Sequence, residues 1–188
     1  YSYPVLYLQS AQDVFIYNSA IKEWHLNTAM LEFYSKDFLS EAIIVGVVDK
    51  TVPNWDEYSP WVNEDMYAWM DPYDANRVEG GDGENYLDFL TQTLKLGIDN
   101  RYRTNQDREH TAIAGSKMGG LIALYAGIAR SETFSHIMAV SPSIWFAEDG
   151  GAWLSNNQLI TLIDTLGVPE NVSFTIDVAD EDRTSELV

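Results

Sequence analysis

The chain of 188 residues carries 29 acidic residues against 11 basic ones, a formal net charge of −18, and it has no cysteine. This charge argues against nucleic-acid partners, because a phosphate backbone repels an acidic surface. The lack of cysteine excludes disulfides and thiolate chemistry. No apolar run approaches the roughly 20 residues that span a bilayer, so no membrane partner is expected. A hydrophobic content of 46% predicts one globular domain over residues 1–188.

Strand and helix patterns alternate along the chain. Continuous apolar runs at 4–8 and 42–48 are typical of strands buried on both faces, and further strands are predicted at 110–114, 136–140 and 173–178. Apolar residues at helical spacing predict helices at 21–38, 84–98, 119–130 and 156–166. This alternation predicts an α/β fold, with a mostly parallel sheet covered by helices on both faces.

The connection from residue 50 to residue 83 is long and rich in aromatic residues, including Trp55 and Trp61. It follows the carboxyl end of a predicted strand, which is where open α/β sheets bind ligands. Two interpretations are open: an aromatic pocket wall in which Trp55 and Trp61 bind substrate, or a surface loop with packed rings.

Cofactor and metal motifs are absent from the sequence. The glycines at 80–83 are not followed by the Lys-Ser/Thr of a phosphate loop. No histidine pair has metal-ligand spacing, and the acidic clusters lack the pattern of a calcium loop. We therefore predict neither a cofactor nor a metal.

The segment 111–121 reads Thr-Ala-Ile-Ala-Gly-Ser-Lys-Met-Gly-Gly-Leu. A strand that runs through a glycine-flanked turn into an apolar helix is typical of the Gly-x-Ser-x-Gly nucleophile elbow. Gly115 and Gly119 fit the outer positions, but the central position holds Lys117. Ser116 lies one residue too early, because its own flanking residues are not glycines.

This segment resembles the putative-esterase family of α/β-hydrolases, the esterase D-like and carbohydrate-esterase-like enzymes, in which it commonly reads Ala-Gly-Ser-Ser-Met-Gly-Gly-Leu. Segments 3–8, 56–61, 86–90, 99–104 and 141–147 are also similar to that family. The resemblance implies an α/β-hydrolase core, with Lys117 in place of the nucleophilic serine. Both ends look trimmed, because the chain starts inside a strand pattern and stops soon after another, so we expect an incomplete domain.

The resemblance also suggests the other site residues. The family's oxyanion hole takes one amide from the residue after the nucleophile, here Met118, and another from the loop at 9–15, with Gln9, Ser10 and Ala11 as candidates. The triad acid aligns with Glu181, with Asp180 as second choice, although both also suit a solvated acidic loop. No histidine follows that acid, so the expected general base is missing.

Lys117 itself has two interpretations. It is either an inactive substitution, the simpler reading, or an amine at a helix amino terminus, where the helix dipole favours the neutral and nucleophilic form. If the turn keeps its shape, we expect a positive φ at Lys117, with the side chain directed toward the acid loop or solvent.

Three functional hypotheses follow. The first is a carboxylic-ester hydrolase for acyl or sugar-acyl esters, inactive in this chain. The second is a non-catalytic pseudo-esterase that binds an acyl or carbohydrate ligand, and the third is a structural role. We expect a small-molecule ester or sugar as partner, with a homodimer possible, and a cytoplasmic location with secretion as the alternative.

Overall fold

A computed structural model describes residues 1–12, 26–36, 40–48, 55–63, 79–147 and 157–178. Within these ranges the strands are β1 (Val5–Leu8), β2 (Ile43–Gly46), β3 (Val62–Asn63), β4 (Glu79–Gly80), β5 (Thr111–Ser116), β6 (His136–Val140) and β7 (Ser173–Asp177). The α-helices are α1 (Leu26–Ser35), α2 (Gly83–Asp88), α3 (Lys95–Arg101), α4 (Met118–Ala129) and α5 (Gln158–Leu166).

The five longer strands form one parallel sheet in the order β2-β1-β5-β6-β7, and β3 pairs with β4 in a separate antiparallel ribbon. The chain first adds β2 on one side of β1, then returns to place β5, β6 and β7 on the other side. The order therefore reverses between β1 and β5, and ligands of open α/β sheets bind at the carboxyl ends of the strands that flank such a switch. The residues at that point follow Leu8 and Ser116.

Helices cover both faces of the sheet, as the sequence predicts. On one face α4 lies so close that a Cβ on Gly127 would be 2.6 Å from Ile137 and 2.7 Å from Phe174 side-chain atoms. On the other face Leu26 of α1 packs with Leu8 and Ala114. This two-faced arrangement explains why the central strands are apolar without alternation.

Helix α4 lies at the centre of the core. Its residues 118–128 are all buried, and a helix that is apolar on all sides is stable only when it is surrounded by protein. The large side chains that are almost fully buried with it come from β1, the helical segment after β4 and the connecting loops: Tyr7, Tyr58, Leu87, Leu90, Phe134 and Phe146.

The structure changes two details of the sequence interpretation. The predicted helix 84–98 is α2 and α3 joined by a π-helical segment, Phe89–Leu94. A π-helix has wider turns than an α-helix, so α-helical spacing misplaces its side chains: Leu90 is buried, whereas Phe89, predicted on the apolar face, is 44% exposed. His136, interpreted as a core strand residue, is exposed on the sheet.

Tyr7 is an unusual core residue. It is 1% exposed, and its hydroxyl has no hydrogen-bond partner among the described residues. Burial, and secondarily the charge of Asp99, raises the pKa of Tyr7 above the ordinary tyrosine range. The unfolded chain therefore releases this proton at lower pH than the folded chain does. Consequently the stability from the neutral phenol is complete below about pH 10 and falls as the pH rises above it.

We predict that Tyr7→Phe raises the free energy of unfolding by about 1 kcal/mol at neutral pH, because it removes a buried hydroxyl without removing a hydrogen bond. The variant should also lose less stability than the parent above about pH 10. Urea unfolding at neutral and alkaline pH measures both effects. A variant less stable than the parent at neutral pH would contradict the prediction.

Candidate active site at the turn between β5 and α4

Lys117 is the single residue between the end of β5 and the start of α4. Its φ and ψ are 51° and −120°, a conformation that L-residues rarely adopt, and the positive φ agrees with the expectation for this turn. Its amide donates to the Val140 carbonyl at 3.1 Å, and its own carbonyl accepts from the amides of Leu121 and Ser143, each at 3.0 Å. These three bonds fix the backbone, while Lys117 is exposed to solvent.

The glycines on either side make the turn possible. A Cβ on Gly115 would lie 2.4 Å from the carbonyl carbon and oxygen of Gly119, and a Cβ on Gly120 would lie 3.1 Å from Pro142. Strand β5 and the first turn of α4 therefore touch through backbone atoms. Any side chain at Gly115 would force them apart.

The turn after β1 lies against this same first turn of α4. A Cβ on Gly119 would be 3.1 Å from the Gln9 Cβ and 3.6 Å from the Ser10 Oγ. Ser10 also has a positive φ, 53°. Since Gly119 is two residues from Lys117, the structure brings the predicted binding residues Gln9 and Ser10 next to the Lys117 turn.

The amides of this second turn are already used within the protein. Ser10 donates its N–H to the Tyr58 hydroxyl at 3.1 Å, and Ala11 donates to the Val47 carbonyl at 2.9 Å. Neither amide is available to a ligand in this conformation. The role of Ser10 and Ala11 as oxyanion donors stays a prediction, and in this conformation their amides position the turn.

Two buried tyrosines hold the turn in place. Besides the Tyr58 contact to Ser10, the Tyr86 hydroxyl donates to the Gln9 side-chain oxygen, and the two rings meet edge to face at 5.1 Å. Tyr58 lies in the aromatic connection 50–83 and Tyr86 in the predicted helix 84–98, and neither pattern predicts a contact with the turn after β1. A chemical signal for such a contact was present, because a buried tyrosine usually finds a hydrogen-bond partner for its hydroxyl.

The first amides of α4 provide the remaining polar surface. No acceptor for the N–H groups of Met118, Gly119 and Gly120 is found among the described residues. The leading amides of a helix lack intrahelical partners and favour an anion or a carbonyl oxygen. The role of Met118 as an oxyanion donor remains a prediction.

Trp55 and Trp61 are half-buried and packed against the core. The Trp55 ring centroid is 6.3 Å from that of Phe146, and the Trp61 centroid is 5.3 Å from that of Tyr125. These contacts match the packed-ring interpretation for both residues. Most of the aromatic connection, residues 64–78, lies outside the described residues.

The predicted acids and one histidine also fall outside the described ranges: Asp180, Glu181 and His25. The other two histidines are at the opposite edge of the sheet. His136 pairs with Ala112, five residues before Lys117, which is roughly 17 Å along a parallel strand. His110 precedes the first residue of β5 and is hydrogen-bonded to Asp107. Neither can act as a base at Lys117.

A cavity of about 540 Å³ is also at that opposite edge, bordered by Arg108, His136 and Asn171.

Within the described ranges, no three His, Asp or Glu side chains are grouped so as to hold a metal ion. Among the helices in those ranges, none is long and apolar enough to cross a membrane.

The fold and the turn together define the class, an α/β protein with its candidate site at the carboxyl edge of a parallel sheet. The chain belongs to the family described as "Putative esterase", whose model matches residues 1–186.

Solved structures with the same fold include the enterobactin esterase FES of Shigella flexneri, with a TM-score of 0.66 and 16% identity over 92% of this chain and 37% of that one. An IroE-like serine hydrolase of Shewanella oneidensis has a TM-score of 0.63 and 20% identity over 96% of this chain and 64% of that one. The uncharacterized protein YbbA of Bacillus subtilis (strain 168) is 22% identical over 77% of this chain, and the chain spans about half of that relative, 51%.

We predict that Gly115→Ala destabilises the protein by about 2–3 kcal/mol, because the new methyl group overlaps the Gly119 backbone. Gly97→Ala is the matched control, since a Cβ there meets nothing within 4 Å. This variant should raise the free energy of unfolding by up to about 1 kcal/mol, because alanine has the higher helix propensity. Denaturant unfolding of both variants checks the pair. Equal stabilities would refute the proposed backbone contact.

We predict that Tyr58→Phe destabilises the protein by about 1–2 kcal/mol, because it leaves the buried Ser10 amide without its acceptor. Hydrogen exchange at the Ser10 amide should become faster. Tyr102→Phe is the control, because Tyr102 is 50% exposed and its loss should change stability little. Unchanged protection of the Ser10 amide would show that Tyr58 does not hold this turn.

Proposed function

We propose that this chain has the site of a carboxylic-ester hydrolase for acyl or sugar-acyl esters, and that it binds such esters without turning them over. The observation that carries the proposal is Lys117, which occupies the positive-φ turn at the β1/β5 switch point. Members of the resembled family commonly have their nucleophilic serine at this position. The turn would then be a nucleophile elbow that has kept its backbone and lost its nucleophile.

The chemistry that remains supports binding more than catalysis. Ester hydrolysis on such a fold needs a nucleophile, a histidine base and oxyanion donors. The amides of 118–120 are suitable donors for a carbonyl oxygen. His110 and His136 are at the wrong edge of the sheet, and a lysine ammonium has no lone pair with which to attack. The expected ligand is a small-molecule ester.

The alternative is a pseudo-esterase whose natural role is binding. Lys117 has no carboxylate partner among the described residues, and an ammonium beside free helix amides suits a carboxylate better than a neutral ester. This alternative therefore predicts tighter binding of a free carboxylic acid than of its ester. The esterase proposal predicts that a restored nucleophile returns turnover.

We predict that the chain releases no more than one equivalent of p-nitrophenol from p-nitrophenyl acetate, because neither described histidine, His110 or His136, lies close enough to Lys117 to regenerate a nucleophile. Absorbance of the released phenolate measures this directly, with Lys117→Ala as the background. Sustained turnover that disappears in Lys117→Ala would overturn the proposal.

Restoring the serine distinguishes the two functions. Lys117→Ser is best made in the whole natural protein, because the relatives are longer than this chain. A gain in kcat/KM of at least about a hundredfold over the unchanged protein, as expected when a triad is completed, favours the ester hydrolase. Continued inactivity of the folded variant together with retained carboxylate binding favours the pseudo-esterase.

A further inference from the structure

We propose that the cavity of about 540 Å³ at the edge of the sheet opposite Lys117 is a second binding site, which takes a small organic anion with a phosphate or carboxylate group. Cavities of this size are typical of small-molecule sites. The polar side chains that border it come from the segment before β5 and from the starts of β6 and β7: Arg108, His136, Asn171 and Ser173. The length of the sheet separates this cavity from the Lys117 turn, so the proposal does not rest on the proposed function.

The Arg108 guanidinium is the group that would bind the anion. Its Nε donates to the Ser131 carbonyl at 2.8 Å, and its Nη2 donates to the Asn171 carbonyl at 3.2 Å. These bonds hold the guanidinium between the loops that precede β6 and β7, where the side chain is only 25% exposed. A guanidinium that is fixed in this way loses little conformational entropy when a ligand binds.

The Nη1 atom of Arg108 forms no hydrogen bond among the described residues. The Glu109 carboxylate is 3.7 Å from it, which is beyond hydrogen-bond distance. Arg108 therefore combines a positive charge with N–H groups that are not used within the described part of the protein. Such a group is suited to a carboxylate or phosphate, which accepts two parallel N–H bonds from one guanidinium.

Three further side chains can bind the rest of the ligand. His136 and Ser173 are register partners on β6 and β7, so they are neighbours on one face of the sheet. Asn171 precedes β7 by two residues. None of the three side chains forms a hydrogen bond among the described residues, and an imidazole, a hydroxyl and an amide can each donate one. A few polar groups around one cavity are what orients a small ligand.

The surrounding charge limits the affinity. Glu109 is the one acid among the described residues that border the cavity. Its side chain is 64% exposed, so its long ion pair with Arg108 is weak and an incoming anion can replace it. The net charge of −18 repels any anion at low salt. We therefore expect a dissociation constant of about 1 mM rather than tight binding.

The test is an NMR titration at neutral pH with three probes: glycerol 3-phosphate, glycerate and glycerol. The first carries a phosphate, the second a carboxylate and the third neither, so the titration also distinguishes the two kinds of anion. We expect the signals of the His136 ring and the Asn171 side-chain amide to shift saturably with at least one anion. Glycerol should bind at least about tenfold more weakly, because it lacks the charge that Arg108 recognises. Shifts that stay linear with both anions, or equal binding of glycerol, would overturn the proposal.

Asn171→Asp places a carboxylate at the cavity and keeps the backbone carbonyl to which Arg108 donates. It should weaken binding of the anion at least about tenfold, because like charges in a binding site repel. Asn100→Asp is the matched control, since it makes the same change at an exposed residue of α3. Equal losses in the two variants would show an effect of net charge alone and would contradict a site at this cavity.

Arg108→Lys keeps the charge and removes the planar pair of donors. It should also weaken binding at least about tenfold, whereas Arg101→Lys at an exposed position of α3 should not. Unfolding in urea shows whether Arg108→Lys remains folded, and Asn171→Asp carries the test if it does not. A folded Arg108→Lys variant that binds the anion as tightly as the parent would refute the role of the guanidinium.

Discussion

The contact between the Gly115 and Gly119 backbones is the constraint on which the rest of the site depends. Only Lys117 separates β5 from the buried helix α4, so the end of the strand lies against the first turn of the helix. A Cβ on Gly115 would be 2.4 Å from the Gly119 backbone, which leaves room only for a hydrogen atom. Lys117 in this tight turn has a positive φ, and the leading amides of α4 follow it directly. The strain, of order 1–3 kcal/mol at such a residue, is offset by the burial of the helix that follows.

The turn after β1 is coupled to this contact by shape and by hydrogen bonds. Gly119 has no side chain, which lets Gln9 approach α4, and Tyr58 and Tyr86 bind that turn from the other side. The turn after β1 is therefore held against α4 at one glycine and is bound by two phenols. Esterases of this architecture need amides from both turns, yet here the Ser10 amide is bound to Tyr58. A ligand that required it would have to displace that hydroxyl.

The sequence predicted the architecture because its signals are local and physically independent of one another. The apolar runs at β1 and β5 and the glycines around Lys117 each determine a strand, a helix or a turn without knowledge of the rest. The alternation of strands and helices predicted a parallel sheet, whereas the order β2-β1-β5-β6-β7 became known only from the structure.

The errors have a different origin. Phe89 is exposed because a π-helical segment changes the angular spacing of the side chains. No residue pattern in the sequence predicts that change. The roles of Tyr58 and Tyr86 were missed because they depend on contacts between residues far apart in the sequence. Tyr58 is 48 positions from Ser10, and Tyr86 is 77 positions from Gln9. The Tyr7 hydroxyl, which has no partner among the described residues, is likewise a result of packing. The same strand pattern would be compatible with a hydrogen-bonded tyrosine.

The conformation of the turn at Lys117 does not depend on the side chain at that position. The conformation of residue 117 is imposed by its backbone bonds to Val140, Leu121 and Ser143 and by the neighbouring glycines, none of which involves the 117 side chain. A change of side chain at position 117 therefore costs little beyond the strain that any non-glycine residue has there. The positions of the leading amides of α4 are therefore set by the backbone, whereas a catalytic triad depends on three side chains.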